Sequence, residues 1–151
     1  MNHKASIYSN PVIPAGRYYC KLLDLHLDTD LDASDASDKP YLWSSLMTGE
    51  YYGEYSGVKL ASILYLTPNT EELVAKFKAT FRISGAESED DYLEALGRWG
   101  CVSVSQHEYE GTEFSCVTFV RQNAQMRATS IAYEKRERMG EKAWLDAGMP
   151  L

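Results

Sequence analysis

The sequence predicts a mainly β fold with helices: a five-stranded β-barrel with one helix after strand three and a helical extension at the C-terminus. Three observations carry this. Gly57 to Gly85 (GVKLASILYLTPNTEELVAKFKATFRISG) changes from period two to helical period at Thr67-Pro68, so a strand feeds directly into a helix. Strand patterns also occupy Gly16 to Leu27, Tyr41 to Thr48, Trp99 to His107 and Glu113 to Arg121. Finally, the apolar phase of the first strand flips, from Tyr18, Cys20 and Leu22 on one face to Leu23, Leu25 and Leu27 on the other. A bulge near Leu22-Leu23 explains that flip, and the first strand of a small closed barrel needs such a bend.

In chain order, residues 1–13 have no sustained period and contain Pro11, with Pro14 just beyond, so they read as a tail or an edge-covering arm with little chemistry. The segment Asp28 to Asp38 (DTDLDASDASD) opens like a calcium loop. An EF-hand starting at Asp28 needs glycine at Ala33 and glutamate at Lys39, so a solvated acidic loop is the better reading. Tyr41 to Thr48 sets Leu42, Ser44 and Leu46 against Tyr41, Trp43, Ser45 and Met47. Gly49 to Gly57 (GEYYGEYSG) reads as a hairpin loop rich in tyrosine.

In the central stretch, Thr67 suits a helix N-cap, Pro68 the first helical position, and Glu71-Glu72 the positive end of the macrodipole. Leu73, Val74, Phe77 and Phe81 then supply the apolar stripe, and Gly85 is the expected left-handed cap. Ser88 with Asp91 forms a capping box for a short helix from Asp90 to Leu96 that Gly97 stops. Tyr109-Glu110-Gly111 joins the last two strands. Residues 124–147 read as a helix with a thin apolar stripe among basic residues, which suits docking on the barrel, on nucleic acid or on a second copy, or a segment that stays loose until a partner arrives.

A chain of 151 residues fits one self-sufficient core without staples. Cys20, Cys101 and Cys116 are an odd set without CxxC spacing, and no apolar run suits a signal peptide or a bilayer span. The expectation is reduced thiols in the cytoplasm and no membrane partner. The net charge of -7 argues against a generic nucleic-acid binder. Its distribution softens that objection: residues 1–120 carry nine Lys/Arg against eighteen Asp/Glu, residues 121–151 six against four.

Catalytic signatures are absent: the chain has no Walker lysine motif, GxGxxG, HExxH or GxSxG. Cys101, His107 and Cys116 match no closed zinc pattern, and Asp90-Asp91 and Glu108/Glu110 read as helix-start and turn residues. We expect no enzyme, cofactor or metal. With Leu42, Leu60 and Leu64 inward, the outward faces of the first three strands gather Arg17, Tyr19, Lys21, Tyr41, Trp43, Lys59 and Tyr65. Single-stranded nucleic-acid binders combine cations that follow phosphates with rings that accept bases. The same aromatics also suit a core beneath a helix.

The order PAGRYY (Pro14 to Tyr19), KPYL (Lys39 to Leu42), the tyrosine-glycine loop, GVKL (Gly57 to Leu60), LYLTPNTEEL (Leu64 to Leu73), and Gly111 before Phe114 to Val117 resembles a phage-encoded family of small domains. That family is found beside recombination and replication genes and is similar to single-stranded-DNA-binding proteins of oligonucleotide-binding (OB) type. The resemblance covers Pro14 to Val120 and brings no catalytic residue. It implies an OB-like DNA-binding domain over residues 1–123 with a helical extension over 124–151, acting on single-stranded DNA in the host cytoplasm. Self-association through the C-terminal helix is a further expectation. The rival reading is a phage protein–protein module or host-defence inhibitor that uses its acidic surface.

Overall fold

The computed structural model describes residues 6–28, 40–85 and 88–139. The acidic segment beyond Asp28 and the extension beyond Met139 lie outside the described residues. Alternating side chains give five antiparallel strands, β1 (Gly16–Asp28), β2 (Tyr41–Thr48), β3 (Lys59–Tyr65), β4 (Trp99–Tyr109) and β5 (Thr112–Phe119). They form one sheet in the order β3-β2-β1-β4-β5. The long β1 lies at its centre, pairing through Gly16 to Lys21 with β4 and through Cys20 to Asp28 with β2. Its register with β2 shifts between Leu22 and Asp24, where the flip in apolar phase places a bulge. That extra residue returns Leu25 to the same core as Leu22.

The expected closed barrel is corrected in one respect: no β3–β5 ladder joins the edges. A side chain spans them instead. Asn10 Nδ2 donates to Ala61 O on β3 (2.9 Å) and to Ser115 O on β5 (2.8 Å), while its Oδ1 accepts from Ala61 N–H (2.7 Å). Ile13 N–H donates to Ser115 Oγ at 2.9 Å, and the Ile13 side chain is buried. The arm therefore covers both edges and satisfies backbone groups that burial would otherwise leave unpaired. Of the two readings the sequence offers for this segment, tail or edge-covering arm, the structure has the arm, pinned by Asn10.

Inside the curved sheet, Leu22, Leu42, Leu46, Leu60, Val102 and Phe119 are buried, with Phe77 and Phe81 plugging them from helix α1 (Glu71–Thr80). The Phe77 ring meets Phe119 edge-on at 4.9 Å. Each such ring contributes about 1.5–3 kcal/mol through burial. Thr67 and Thr70 form a capping box on a 3-10 turn, Pro68–Thr70, that leads into α1. Only hydrogen fits at Gly100, because a Cβ there would lie 2.3 Å from Thr80 Cγ2 and 2.7 Å from Thr80 O. That close approach seats the last turn of α1 on β4.

The left-handed cap is not Gly85. Arg82, with φ of 54°, takes that position, with Arg82 N–H donating to Ala79 O and Ile83 N–H to Lys78 O at 2.8 Å. This is a Schellman ending built on an arginine. A second arginine supports it: Arg98 Nη1 donates to Phe81 O (3.2 Å) and Arg82 O (2.9 Å). Ser88 and Asp91 form the expected capping box on α2 (Glu89–Leu93). Glu110 and Gly111, at φ of 50° and 80°, make the tight β4–β5 turn. Helix α3 (Ala124–Met139) packs on its own sheet beside β4. Among the described residues no helix is long and apolar enough to cross a membrane.

Candidate nucleic-acid interface

Strand register brings the predicted residues onto one outward face. Lys21 lies opposite Met47 and Met47 opposite Lys59, while Trp43 pairs with Ile63 and Tyr41 with Tyr65. Arg17 and Tyr19 alternate along β1 with the core residues Tyr18 and Cys20. The face then divides into two ends.

At one end α3 lies over the sheet. Tyr133 stacks on Trp99 with ring centroids 4.5 Å apart and planes 16° apart, and lies 5.6 Å from Tyr19. Lys21 Nζ is held by Glu137 Oε2 at 2.7 Å, and Glu137 Oε1 accepts from Trp99 Nε1. Glu134 accepts from Trp99 N–H at 2.9 Å and pairs with Arg82. Arg136 lies 4.9 Å over the Tyr51 ring and 2.9 Å from Glu50. Gly49 passes beneath the stack, where a Cβ would come within 3.0 Å of Tyr133 and 3.2 Å of Trp99. Burial pushes the Tyr133 hydroxyl well above its ordinary range, and the neighbouring Tyr52 adds to the effect. Tyr19 and Lys21 are thus occupied by the chain's own helix.

The other end carries a groove of about 280 Å³ lined by Ser6, Ile7, Tyr8, Tyr41, Trp43, Ile63 and Tyr65. Trp43 is 7% exposed and forms its floor, whereas Tyr65 and Tyr8 each keep 48% of their surface in solvent. Asn10 anchors the arm two residues beyond Tyr8. Tyr8 also reaches across the seam, stacking on Tyr109 at 5.2 Å and meeting Phe114 edge-on. At the Tyr41 side, His26 Nδ1 lies 2.9 Å from Glu89 Oε1, with Asp28 at 4.0 Å from Nε2.

Of the seven predicted residues, Tyr41, Trp43 and Tyr65 thus share the groove, and Tyr19 and Lys21 lie against α3. Arg17 and Lys59 are exposed, but Lys59 stands six residues along β3 from Tyr65, roughly 20 Å away. Sequence reasoning missed Tyr8, Ile63, Trp99 and the α3 residues that meet this face. Ile63 alone had a usable signal, its alternation with Tyr65.

Burial raises the thiols of Cys20, Cys101 and Cys116, leaving them protonated and unreactive near neutral pH. Asp91 is spent on capping α2, and Glu110 sits in the hairpin turn. Among the described residues no group of three His, Cys, Asp or Glu is placed to hold a metal ion. What the groove offers is ring surface. No protein-family model matches the chain, and the search of curated proteins finds no match.

Proposed function

We propose that this protein binds single-stranded DNA without catalysis, using the groove between the N-terminal arm and the β2–β3 face. The observation that carries the reading is the set of rings in that groove, with Tyr65 and Tyr8 exposed above Trp43. Each base stacked on such a ring is worth about 1–3 kcal/mol, whatever its sequence. The strand order, the helix between β3 and β4, and the Asn10 bridge across the open seam support an OB-like barrel. In that fold the face of strands 2 and 3 is the one that takes oligonucleotides. A role in phage replication or recombination in the host cytoplasm follows from the sequence resemblance. Self-association would use the outer side of α3, where Ile131 is exposed.

Among the described residues lining the groove none is Lys or Arg, so stacking rather than phosphate contact dominates. Arg17 and Lys59 stand toward the far ends of β1 and β3 from the groove, so the expected salt dependence is shallow, one or two phosphates at most. Fluorescence anisotropy of a labelled oligothymidylate, titrated at several salt concentrations, tests this. Saturable binding with a shallow slope is the expected result; no binding in low salt overturns it. That second outcome favours the protein–protein reading, which the lack of cations in the groove and the Asp28/Glu89 pair beside His26 also support. A protein partner would then occupy the same rings.

A further inference from the structure

We propose that the sheet face beneath α3 is a second surface for single-stranded nucleic acid, and that the C-terminal half of α3 occupies it as a built-in stand-in for the strand. The proposal rests on the nucleic-acid reading above and adds to it a masked site with its own mode of control.

Three contacts made by this part of the helix reproduce ones a strand would make, whereas the Arg136–Glu50 pair does not. The Glu137 carboxylate sits on Lys21 Nζ at 2.7 Å, and that of Glu134 on Arg82, where phosphate oxygens would find the same donors. The Tyr133 ring lies flat on Trp99 at 4.5 Å, with Tyr19 5.6 Å away, where a base would stack. Two carboxylates and one ring over two cations and two rings match in charge as well as in shape.

The helix is also held in a way that allows exchange. Its first half is fixed by buried Met126 and Ser130, next to Gln122, whose side chain bonds both Cys101 N–H and Cys101 O. Its second half is held by the Tyr133 stack, the Arg136–Glu50 pair and two carboxylate-to-cation pairs, Glu137–Lys21 and Glu134–Arg82, and in the last two a polyanion can take the carboxylate's place. Clefts of about 410 and 500 Å³ flank that half, and the second is lined by Lys21, Arg98 and Arg138 as well as Glu94, Glu134 and Glu137. A strand arriving along these cations would displace the last turns of α3 while the first turns stay docked. Masking lowers apparent affinity by the fraction of molecules whose helix is open.

The test compares oligothymidylate binding by the parent, by Glu134→Gln/Glu137→Gln, by the same double variant carrying Lys21→Gln, and by Glu108→Gln/Glu110→Gln. The last has the same change in net charge, made far from α3. Glutamine keeps the hydrogen bonds to Trp99 while removing the charge, and circular dichroism checks that α3 is retained. The expected result is binding at least about fivefold tighter for the α3 variant. Its salt slope should steepen by about 0.7 for each cation released. Both gains should shrink when Lys21 is removed and be absent in the remote variant. Hydrogen exchange supplies a second readout: adding oligonucleotide to the parent should speed exchange in the last turns of α3 and leave α1 unchanged. Equal gains in the two double variants, or α3 amides that slow on binding, overturn the masked site while leaving the groove reading intact. An absence of binding by parent and variants alike removes both.

Discussion

The two ends of the outward face use the same residue types to opposite effect. At the α3 end, a tryptophan, a tyrosine and a lysine are matched by Tyr133, Glu134 and Glu137 from the same chain. At the arm end, a tryptophan floors a groove in which Tyr8 and Tyr65 remain half in solvent. The difference teaches that an aromatic and basic strand face is not yet a binding site: what packs over it decides. A helix with complementary carboxylates turns one end into structure, whereas an arm pinned by one asparagine leaves the other accessible.

The comparison is broken most forcefully at its two buried tryptophans. Trp99→Ala and Trp43→Ala should each cost about 3–5 kcal/mol in chemical denaturation. Only Trp99→Ala should also loosen α3, seen as lost helical circular dichroism before the main transition. Matching behaviour of the two variants would mean that α3 is held elsewhere. Asn10→Ala comes next, at about 1–3 kcal/mol, because buried backbone groups of Ala61 and Ser115 lose their partner. A variant with an unshifted denaturation midpoint would contradict the bridging role. Tyr65→Ala should leave stability within about 0.5 kcal/mol, as an exposed ring allows, yet weaken oligonucleotide binding by about 1–3 kcal/mol. Unaltered affinity would move the site away from the arm end.

The smallest expected effect is on alkaline stability. Burial raises the Tyr133 hydroxyl above its ordinary value of 10.0, so the folded state holds that proton more tightly than the unfolded chain does. The associated stability is complete below pH 10 and is lost as the pH rises through the folded value. Tyr133→Phe should therefore flatten the alkaline decline, measured as thermal midpoint against pH. An unchanged decline would assign it to other groups.

What the sequence made legible follows from period and local chemistry. The β2 bounds, the bulge beside Leu22, the α2 capping box and the inward side of β2 and β3 all rest on neighbours in the chain, and the structure has each of them. The misses involve distant partners. Gly85 looked like the helix cap because glycine accepts positive φ cheaply, but the chain turns three residues earlier at Arg82, where Arg98 gathers the carbonyls. Asn10 lies in a segment without period, and its value comes from two edges 51 and 105 residues away. α3 showed a thin apolar stripe because its C-terminal half is fixed by carboxylates, an arginine and one tyrosine, which no hydropathy pattern counts. The candidate site was legible as a face, and its division into a covered and an accessible end was not.

The most direct measurement is photochemical cross-linking of an oligonucleotide carrying halogenated pyrimidines, at low salt, with the modified residues located by mass spectrometry. Stacking at the arm end predicts adducts at Tyr65 and Tyr8. Adducts confined to tyrosines remote from that groove, such as Tyr51, or no adducts at protein concentrations that saturate binding, would contradict it.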